Sequence, residues 1–454
     1  MKERAVDVVV VGLGPGGEDA AGKLAEAGLS VVGIEKELVG GECPYWGCIP
    51  SKMMIRAANA IAEANRVPAL GGEVTVSPDF STVADRIRSE ATDDWNDQVA
   101  VDRFTGKGGI FVRGAARLLS RDRVLVGEDV YVAGRAVVIA AGTSAAIPPI
   151  PGLAETPYWT NREAIATREV PGSLLVLGGG AIGVELGQSF ARFGSTVTIM
   201  EAADRILPLE EPEASEIVTA ALAAEGITVA TGTAVSKVDH DGAVFAVTVG
   251  ETVMTAERLL VATGRRPALA ALNVDALDIG LGSGGWIPVD EYQRVAPGVW
   301  AVGDITGKGA FTHVAMYQAQ IAVRDILGHD GPPADYSALP RVTFTDPEVG
   351  SVGLTEQQAR AAGVDVATGS TLVPHTARGW IHQTGNEGVI KVVADRDTGT
   401  LIGATSVGPT GGEVLSGLAV AVHAQVPVAT LRHMIYAYPT FHRGIEDALR
   451  DLAM

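Results

Sequence analysis

Cys43 and Cys48 are the only two cysteines in the 454-residue sequence, and one short loop holds both: Gly40-Gly41-Glu42-Cys43-Pro44-Tyr45-Trp46-Gly47-Cys48-Ile49-Pro50-Ser51-Lys52. Thiols so close in the chain point to a redox pair. Pro50 favours a helix that begins directly after Cys48. A thiol near a helix N-terminus is stabilised as thiolate, the form that attacks disulfides. At an ordinary pKa only about 3% of a thiol is thiolate at pH 7, so lowering the pKa by roughly two units makes the nucleophile dominant. Two packed cysteines, or half of a metal site, are the alternative readings of the same pair.

The elements around this loop form an internal repeat. Val8-Val9-Val10-Val11 reads as a buried strand, followed by the turn Gly12-Leu13-Gly14-Pro15-Gly16-Gly17. An alanine-rich helical stretch runs to Ala27, Gly28 stops it, and a second strand covers Ser30–Glu35. The same events recur at Leu174–Leu177, Gly178-Gly179-Gly180-Ala181-Ile182-Gly183 and Thr196–Glu201. In each copy the acid, Glu35 or Glu201, lies 23 positions after the first glycine. One such glycine turn is weak evidence; two, each between strand and helix and each with its acid, point to two dinucleotide sites. The first glycine permits the tight turn, the second lets backbone approach a pyrophosphate, and the third lets helix and strand pack closely. The helix N-terminus offers N–H groups to the phosphates, and the acid accepts from ribose hydroxyls. A donor and a resident cofactor, most economically NAD(P)H and FAD, would fill them.

Three more segments follow this plan. Val137–Ile139 runs into Ala140-Ala141-Gly142-Thr143, and Leu259–Val261 into Ala262-Thr263-Gly264-Arg265-Arg266-Pro267, each a strand that returns the chain from one nucleotide domain to the next. Val299–Val302 leads to Gly303-Asp304, where Asp304 taken alone reads as a cap or turn residue. Amphipathic stretches over Ile55–Asn65 and Val83–Gln98 read as packing helices with no bearing on substrate. Tyr45 and Trp46 fit a substrate mouth or plain aromatic packing.

Composition bounds the rest. Hydrophobic residues at 47% and charged residues at 20% describe a globular chain of several domains. Two cysteines cannot build a secreted disulfide scaffold or a four-thiolate zinc site. His375, His382, His423 and His433 show no metal-ligand spacing. A net charge of -19 argues against a nucleic-acid partner, and no polybasic or long apolar run points to a membrane. The apolar stretch Ala5–Leu13 is too short for a signal sequence, so a cytoplasmic location is expected.

With these residues in view, the chain resembles the class I pyridine nucleotide-disulfide oxidoreductases, which include dihydrolipoamide dehydrogenase, glutathione reductase, mercuric reductase and soluble transhydrogenase. The resemblance spans the whole chain and extends to Arg341-Val342-Thr343-Phe344-Thr345-Asp346-Pro347-Glu348, which looks like the start of that family's dimerisation domain. It implies an α/β fold with two Rossmann-like dinucleotide-binding domains, for FAD and NAD, and a C-terminal α+β dimerisation domain. The expected division is 1–150 for FAD and the cysteine pair, 151–271 for NAD(P), 272–338 returning to the FAD or central domain, and 339–454 for dimerisation. By the same resemblance FAD is bound through Gly12, Gly14, Gly17 and Glu35, with Ala116, Ala141, Gly142, Thr143, Asp304, Ala310, Phe311, Thr312 and His313 completing the site. Gly178, Gly180, Gly183, Glu185, Glu201, Val235 and Gly264 would hold the nicotinamide cofactor. Lys52 matches the lysine beside the flavin and Glu185 its partner; surface-helix positions are the alternative reading of both. Hydride would pass from NAD(P)H to FAD and on to the Cys43–Cys48 disulfide, with Cys48 nearer the flavin and Cys43 meeting a small-molecule substrate. Glu201 argues for NADH over NADPH because a carboxylate repels a 2′-phosphate, although Arg205 lies four residues on. A homodimer whose active sites are shared across the interface is implied as well.

The pattern breaks near the C-terminus. Where most disulfide reductases of this type carry His-Pro-Thr followed closely by a glutamate, this sequence reads Tyr438-Pro439-Thr440-Phe441-His442-Arg443. Tyr438 takes the place of the acid/base histidine and Arg443 that of its orienting glutamate. A tyrosine is only about 0.1% ionised at pH 7 and makes a poor general base. It can still donate a hydrogen bond to a thiolate or an anionic substrate. His442 reads as a solvated or capping residue, with a substitute base as the alternative. Tyrosine at this place is similar to mercuric reductase and soluble transhydrogenase. The expected activity is FAD-dependent reduction of a small disulfide or thiol-reactive substrate by NADH. A mercuric-type metal-ion reductase, without the second, C-terminal cysteine pair of that family, is one alternative. A quinone reductase or transhydrogenase using the flavin directly is another.

Overall fold

The computed structural model describes residues 2–454, which divide into two compact units. The first comprises residues 2–51, Asp85–Ala146 and Gly264–Asp335. The long valine-rich strand Lys2–Val11 lies inside its eight-stranded sheet, parallel to Val31–Glu35 on one side and to Asp129–Ile139 on the other. Both faces of this strand are covered, which is why its valines run on without polar alternation. Val8 and Val10 pack with Ala20, Ala21 and Leu24 of the helix Pro15–Glu26, while Val9 and Val11 face Leu118, Val124 and Ile305. Val299–Ala301 extends the same sheet beside Asp129–Ile139 and is followed at its carboxyl end by Gly303-Asp304.

The second unit comprises Lys52–Ala84, Ile147–Thr263 and Tyr336–Met454. It holds a four-stranded parallel sheet, in the order Thr228–Ala230, Thr196–Met200, Ser173–Leu177 and Arg258–Val261. An antiparallel meander, Val235–His240, Phe245–Val249 and Thr252–Ala256, packs Phe245 and Val247 onto Leu175 and Leu177. A five-stranded antiparallel sheet over residues 340–408 is backed by the helices Gly411–His423 and Gly444–Asp451. Two Rossmann-type sheets and a separate C-terminal sheet-and-helix layer are therefore present, as expected.

The two glycine turns match in their constraints. Gly12 and Gly178 have φ of 93° and 113°, a region costly to any residue with a Cβ, and a Cβ on either would strike the carbonyl of Ala140 or Ala262. Gly17 and Gly183 sit so close to the carbonyls of Gly12 and Gly178 that any side chain would force helix and strand apart.

One expectation fails. Val83–Gln98 is not a single packing helix: the α-helix Phe80–Arg86 loosens into a π-helical turn, Ile87–Ala91, and stops. Asp93, Asp94 and Trp95 then take left-handed backbone, with φ of 48°, 55° and 57°, before a new helix, Gln98–Gly106.

Candidate active site

Cys43 lies in the single-turn helix Glu42–Trp46, and Cys48 opens the helix Cys48–Leu70, as Pro50 led one to expect. Both are thiols and half-buried. The Cys48 sulfur lies 3.4 Å from the Thr312 hydroxyl. A hydrogen bond with Cys48, and then burial, push the Cys43 thiol well above the ordinary range. The charge of Cys48 adds to that rise, and a hydrogen bond with Thr312 opposes it. Cys48 holds the helix N-terminal position, where a thiolate is favoured.

The same unit gathers other expected residues. Glu35 turns back onto the glycine turn, accepting from the Leu13 N–H at 2.8 Å and the Glu37 N–H at 2.8 Å. Thr143 donates to Asp304 at 2.8 Å and accepts from Arg265 Nε at 2.7 Å. Burial raises the Asp304 carboxyl pKa, against the opposing hydroxyl of Thr143 and the charge of Arg265. Phe311 and His313 stack at 5.1 Å. Ala116 begins a strand paired with Val126, and Ala141 and Gly142 fill the turn before Thr143. Gly14 caps the helix Pro15–Glu26 with extended backbone and no capping side chain. A Cβ there would meet no atom within 4 Å. Open space and helix N–H groups suit a pyrophosphate, and the carboxylate of Glu35 suits a ribose, so these residues fit FAD.

The second unit repeats the arrangement. Glu201 accepts from the Gly179 N–H at 2.7 Å and the Ala203 N–H at 2.8 Å, and Gly180 caps the helix Ala181–Arg192 with nothing within 4 Å of its Cβ position. Arg205 is turned away onto the carbonyls of Leu207 and Pro208. Val235 starts the meander strand, and Gly264, in the first unit, holds a φ of 106°. Lys52 Nζ and Glu185 Oε2 form an ion pair of 2.9 Å, with the Glu185 side chain 6% exposed.

Sequence reasoning missed a third member of that pair. Phe344 donates its backbone N–H to Glu185 Oε1 at 2.8 Å, and its ring lies 4.7 Å from Lys52 Nζ. A backbone donor leaves no side-chain signature, so only the fold reveals it. Arg265 was also missed; its place in the small-residue turn carried no hint of a bond to Thr143. Tyr438 is 71% exposed, and the Arg443 guanidinium lies 5.5 Å from its ring centre. His442 sits 3.4 Å from the Thr440 hydroxyl in a short turn.

Known proteins agree with this geometry. The model of the pyridine nucleotide-disulphide oxidoreductase family matches residues 6–319, and that of its dimerisation domain matches residues 339–449. The chain belongs to this family. Mercuric reductase from Acidithiobacillus ferrooxidans is 34% identical over 449 residues, covering 97% of this chain and 81% of that protein. Dihydrolipoyl dehydrogenase from Halobacterium salinarum is 34% identical over 471 residues, covering 97% of this chain and 95% of that one. Among solved structures, the Cu(II) complex of the HOCl-induced flavoprotein disulfide reductase RclA from Escherichia coli aligns with a TM-score of 0.87 at 27% identity, over 98% of this chain and 99% of that chain. As a pyridine nucleotide-disulphide oxidoreductase the protein is an enzyme that uses FAD and NAD(P)H, has a candidate redox cysteine pair and carries a dimerisation domain. No helix among the described residues is long and apolar enough to cross a membrane.

Proposed function

We propose that this oxidoreductase transfers electrons from NADH through the Cys43–Cys48 pair to a small disulfide or other thiol-reactive substrate in the cytoplasm. The observation that carries the reading is the placement of the pair, with Cys43 on the short helix Glu42–Trp46, Cys48 first in the next helix, and only Gly47 joining the two helices. Bound FAD supplies the two-electron relay between nicotinamide and disulfide. The chain's own residues do the remainder. Gly12, Gly14, Gly17 and Glu35 hold one dinucleotide, and Gly178, Gly180, Gly183 and Glu201 the other. Thr143 and Asp304 supply polar contacts for FAD, and Ala116, Ala141, Gly142 and the segment from Ala310 to His313 line its site. Glu185 and Phe344 hold Lys52 as a cation for the electron-rich reduced cofactor. The domain division at 150, 271 and 338 belongs to the same reading.

Tyr438 narrows the substrate. With a tyrosine in the place of the acid/base histidine, disulfides that release low-pKa thiols should react best, since such thiols leave unaided. Anaerobic addition of one equivalent of NADH should convert the oxidised holoenzyme to a form with two alkylatable thiols per chain, and peptide mass mapping should find them at 43 and 48. Uptake of NADH with no new thiols would sink the dithiol route.

A second reading, reduction of a metal ion, draws support from the mercuric reductases among the relatives and from the suitability of paired thiolates as soft-metal ligands. Hg(II)- or Cu(II)-dependent NADH oxidation that outpaces every disulfide tested would favour it.

Glu201 supports NADH, because its carboxylate faces no cation from Arg205. Glu201→Gln should raise the NADPH/NADH ratio of kcat/KM about tenfold or more, since like-charge contact costs several kcal/mol. An unchanged ratio would remove Glu201 from specificity.

The proposed homodimer shares its sites through the segment that carries Tyr438. Ile435 is 96% exposed, and Trp380, Ile381 and Met434 are exposed apolar residues of the same unit. A second copy would cover such a surface. Ile435→Glu should shift sedimentation from dimer toward monomer and lower disulfide reduction in proportion; a fully active monomer would refute the shared site.

A further inference from the structure

The strained arm after the π-helical turn ends on the redox loop. Three consecutive non-glycine residues, Asp93, Asp94 and Trp95, hold positive φ, a conformation that persists only where surrounding contacts enforce it. Arg88, on the π-helical turn, pairs with Asp94 and lies 5.5 Å from the Trp95 ring centre. Trp95 stacks on Trp46, with centroids 5.2 Å apart and planes 22° apart, and its indole Nε1–H donates to the Tyr45 carbonyl at 3.3 Å. Two residues on, Asp97 accepts the Val39 N–H at 2.7 Å and pairs with Arg113 at 2.6 Å. The arm thus grips the redox loop on both sides of Cys43, at Val39 and at Tyr45–Trp46.

We propose that Trp95 is a positioning residue for the cysteine pair, clamping Trp46 so that the Cys43 turn cannot swing away from Cys48. The need for a clamp follows from the loop itself. Only Gly47 joins the short helix Glu42–Trp46 to the helix Cys48–Leu70, and its φ of −129° and ψ of −112° suit neither helix nor strand. A five-residue helix has little stability of its own. Stacked aromatics add specific attraction beyond the area they bury. With Trp46 held, Gly47 cannot act as a hinge, and Cys43 stays beside Cys48. Residue types alone made Tyr45 and Trp46 a mouth or plain packing; their anchoring by a strained segment assigns them to the redox loop's geometry.

The inference rests on the Cys43–Cys48 reading, and the test separates the two. Holoenzymes with Trp95→Ala and Trp95→Phe are reduced with NADH, and Cys43 alkylation by iodoacetamide is followed from pH 6 to pH 10. In Trp95→Ala the alkylation profile should move to lower pH, with a several-fold faster rate at pH 7. Its kcat for disulfide reduction should fall about tenfold, while KM for NADH and the flavin content stay as in the wild type. Trp95→Phe keeps a ring on Trp46 but cannot donate to Tyr45, so it should shift less in the same direction. It also decides the matter if the alanine variant does not accumulate. Wild-type alkylation profiles and kcat in the variants that fold overturn the clamp and leave the dithiol reading intact. A wild-type enzyme that yields no alkylatable pair overturns both.

Discussion

Cys48→Ser is expected to abolish disulfide reduction, by about 10³-fold or more, because loss of a nucleophile that acts within a unit removes nearly all that the unit contributes. A serine hydroxyl neither closes a disulfide with Cys43 nor carries charge at neutral pH. Quinone reduction directly from the flavin should stay within about twofold of wild type, and this contrast separates the dithiol route from a flavin-only one. Cys43→Ser should be equally inactive with disulfides but leave Cys48 alkylatable. A pH effect follows from the raised Cys43 thiol, whose hydrogen bond with Cys48 and burial both favour the protonated form. In the reduced wild-type enzyme, Cys43 alkylation should therefore climb steadily through pH 9, with no plateau near neutrality. A plateau near pH 6–7 would show that a base such as His442 reaches the thiol after all. Retention of disulfide reductase activity in Cys48→Ser would remove the pair from the mechanism.

How far the sequence discloses this site depends on which atoms carry the contact. The glycine turns were legible because positive φ at Gly12 and Gly178, and the missing side chains at Gly17 and Gly183, are requirements only glycine meets. The acids at 35 and 201 were legible by spacing, and both do turn their carboxylates onto the glycine turns. The pairing of Lys52 with Glu185, 133 residues away, came from family resemblance, since no local pattern links them. Phe344 was invisible, because its tie to Glu185 is a backbone N–H that any residue but proline could donate. The arm at 93–95 was misread for a different reason. Val83, Ala84 and Ile87 keep helical spacing and are buried, so the apolar pattern runs on past the point where the backbone leaves the helix. Asp93 and Asp94 tolerate left-handed backbone better than most residues, whereas Trp95 does not, and tertiary contacts with Trp46 and Tyr45 decide its conformation.

Lys391→Met should cost the second unit on the order of 3–5 kcal/mol at pH 7, because it strips the counter-charge from buried carboxylates and leaves them uncompensated. Lys391 is 5% exposed on the strand Val389–Asp395. Its ammonium lies 3.1 Å from Glu211, 2.8 Å from Glu213 and 3.0 Å from Glu356. Glu211 carries most of the loss, since its side chain is 2% exposed, while Glu213 at 45% and Glu356 at 28% are partly screened by water. Burial works to lower the Lys391 pKa, but hydrogen bonds to Glu213 and Glu356 and the charge of Glu211 outweigh it and hold the ammonium above the ordinary lysine range. A raised lysine stabilises the fold fully below its unfolded value, about 10.4, and that contribution is lost as pH rises through the folded value. Glu356 is lowered, first by its hydrogen bond from Lys391 and then by that from Arg360. Its contribution is present above the unfolded value, about 4.3, and is lost as pH falls through the folded one. The stability gap between wild type and Lys391→Met should therefore be widest from about pH 5 to pH 10 and narrow on both sides. Thermal melting across that range should show a deficit on the order of 10 °C at neutrality. Glu213→Gln, which leaves Glu211 paired with Lys391, should lower the melting temperature far less; a loss equal to that of Lys391→Met would mean that Glu211 is not the carboxylate that matters.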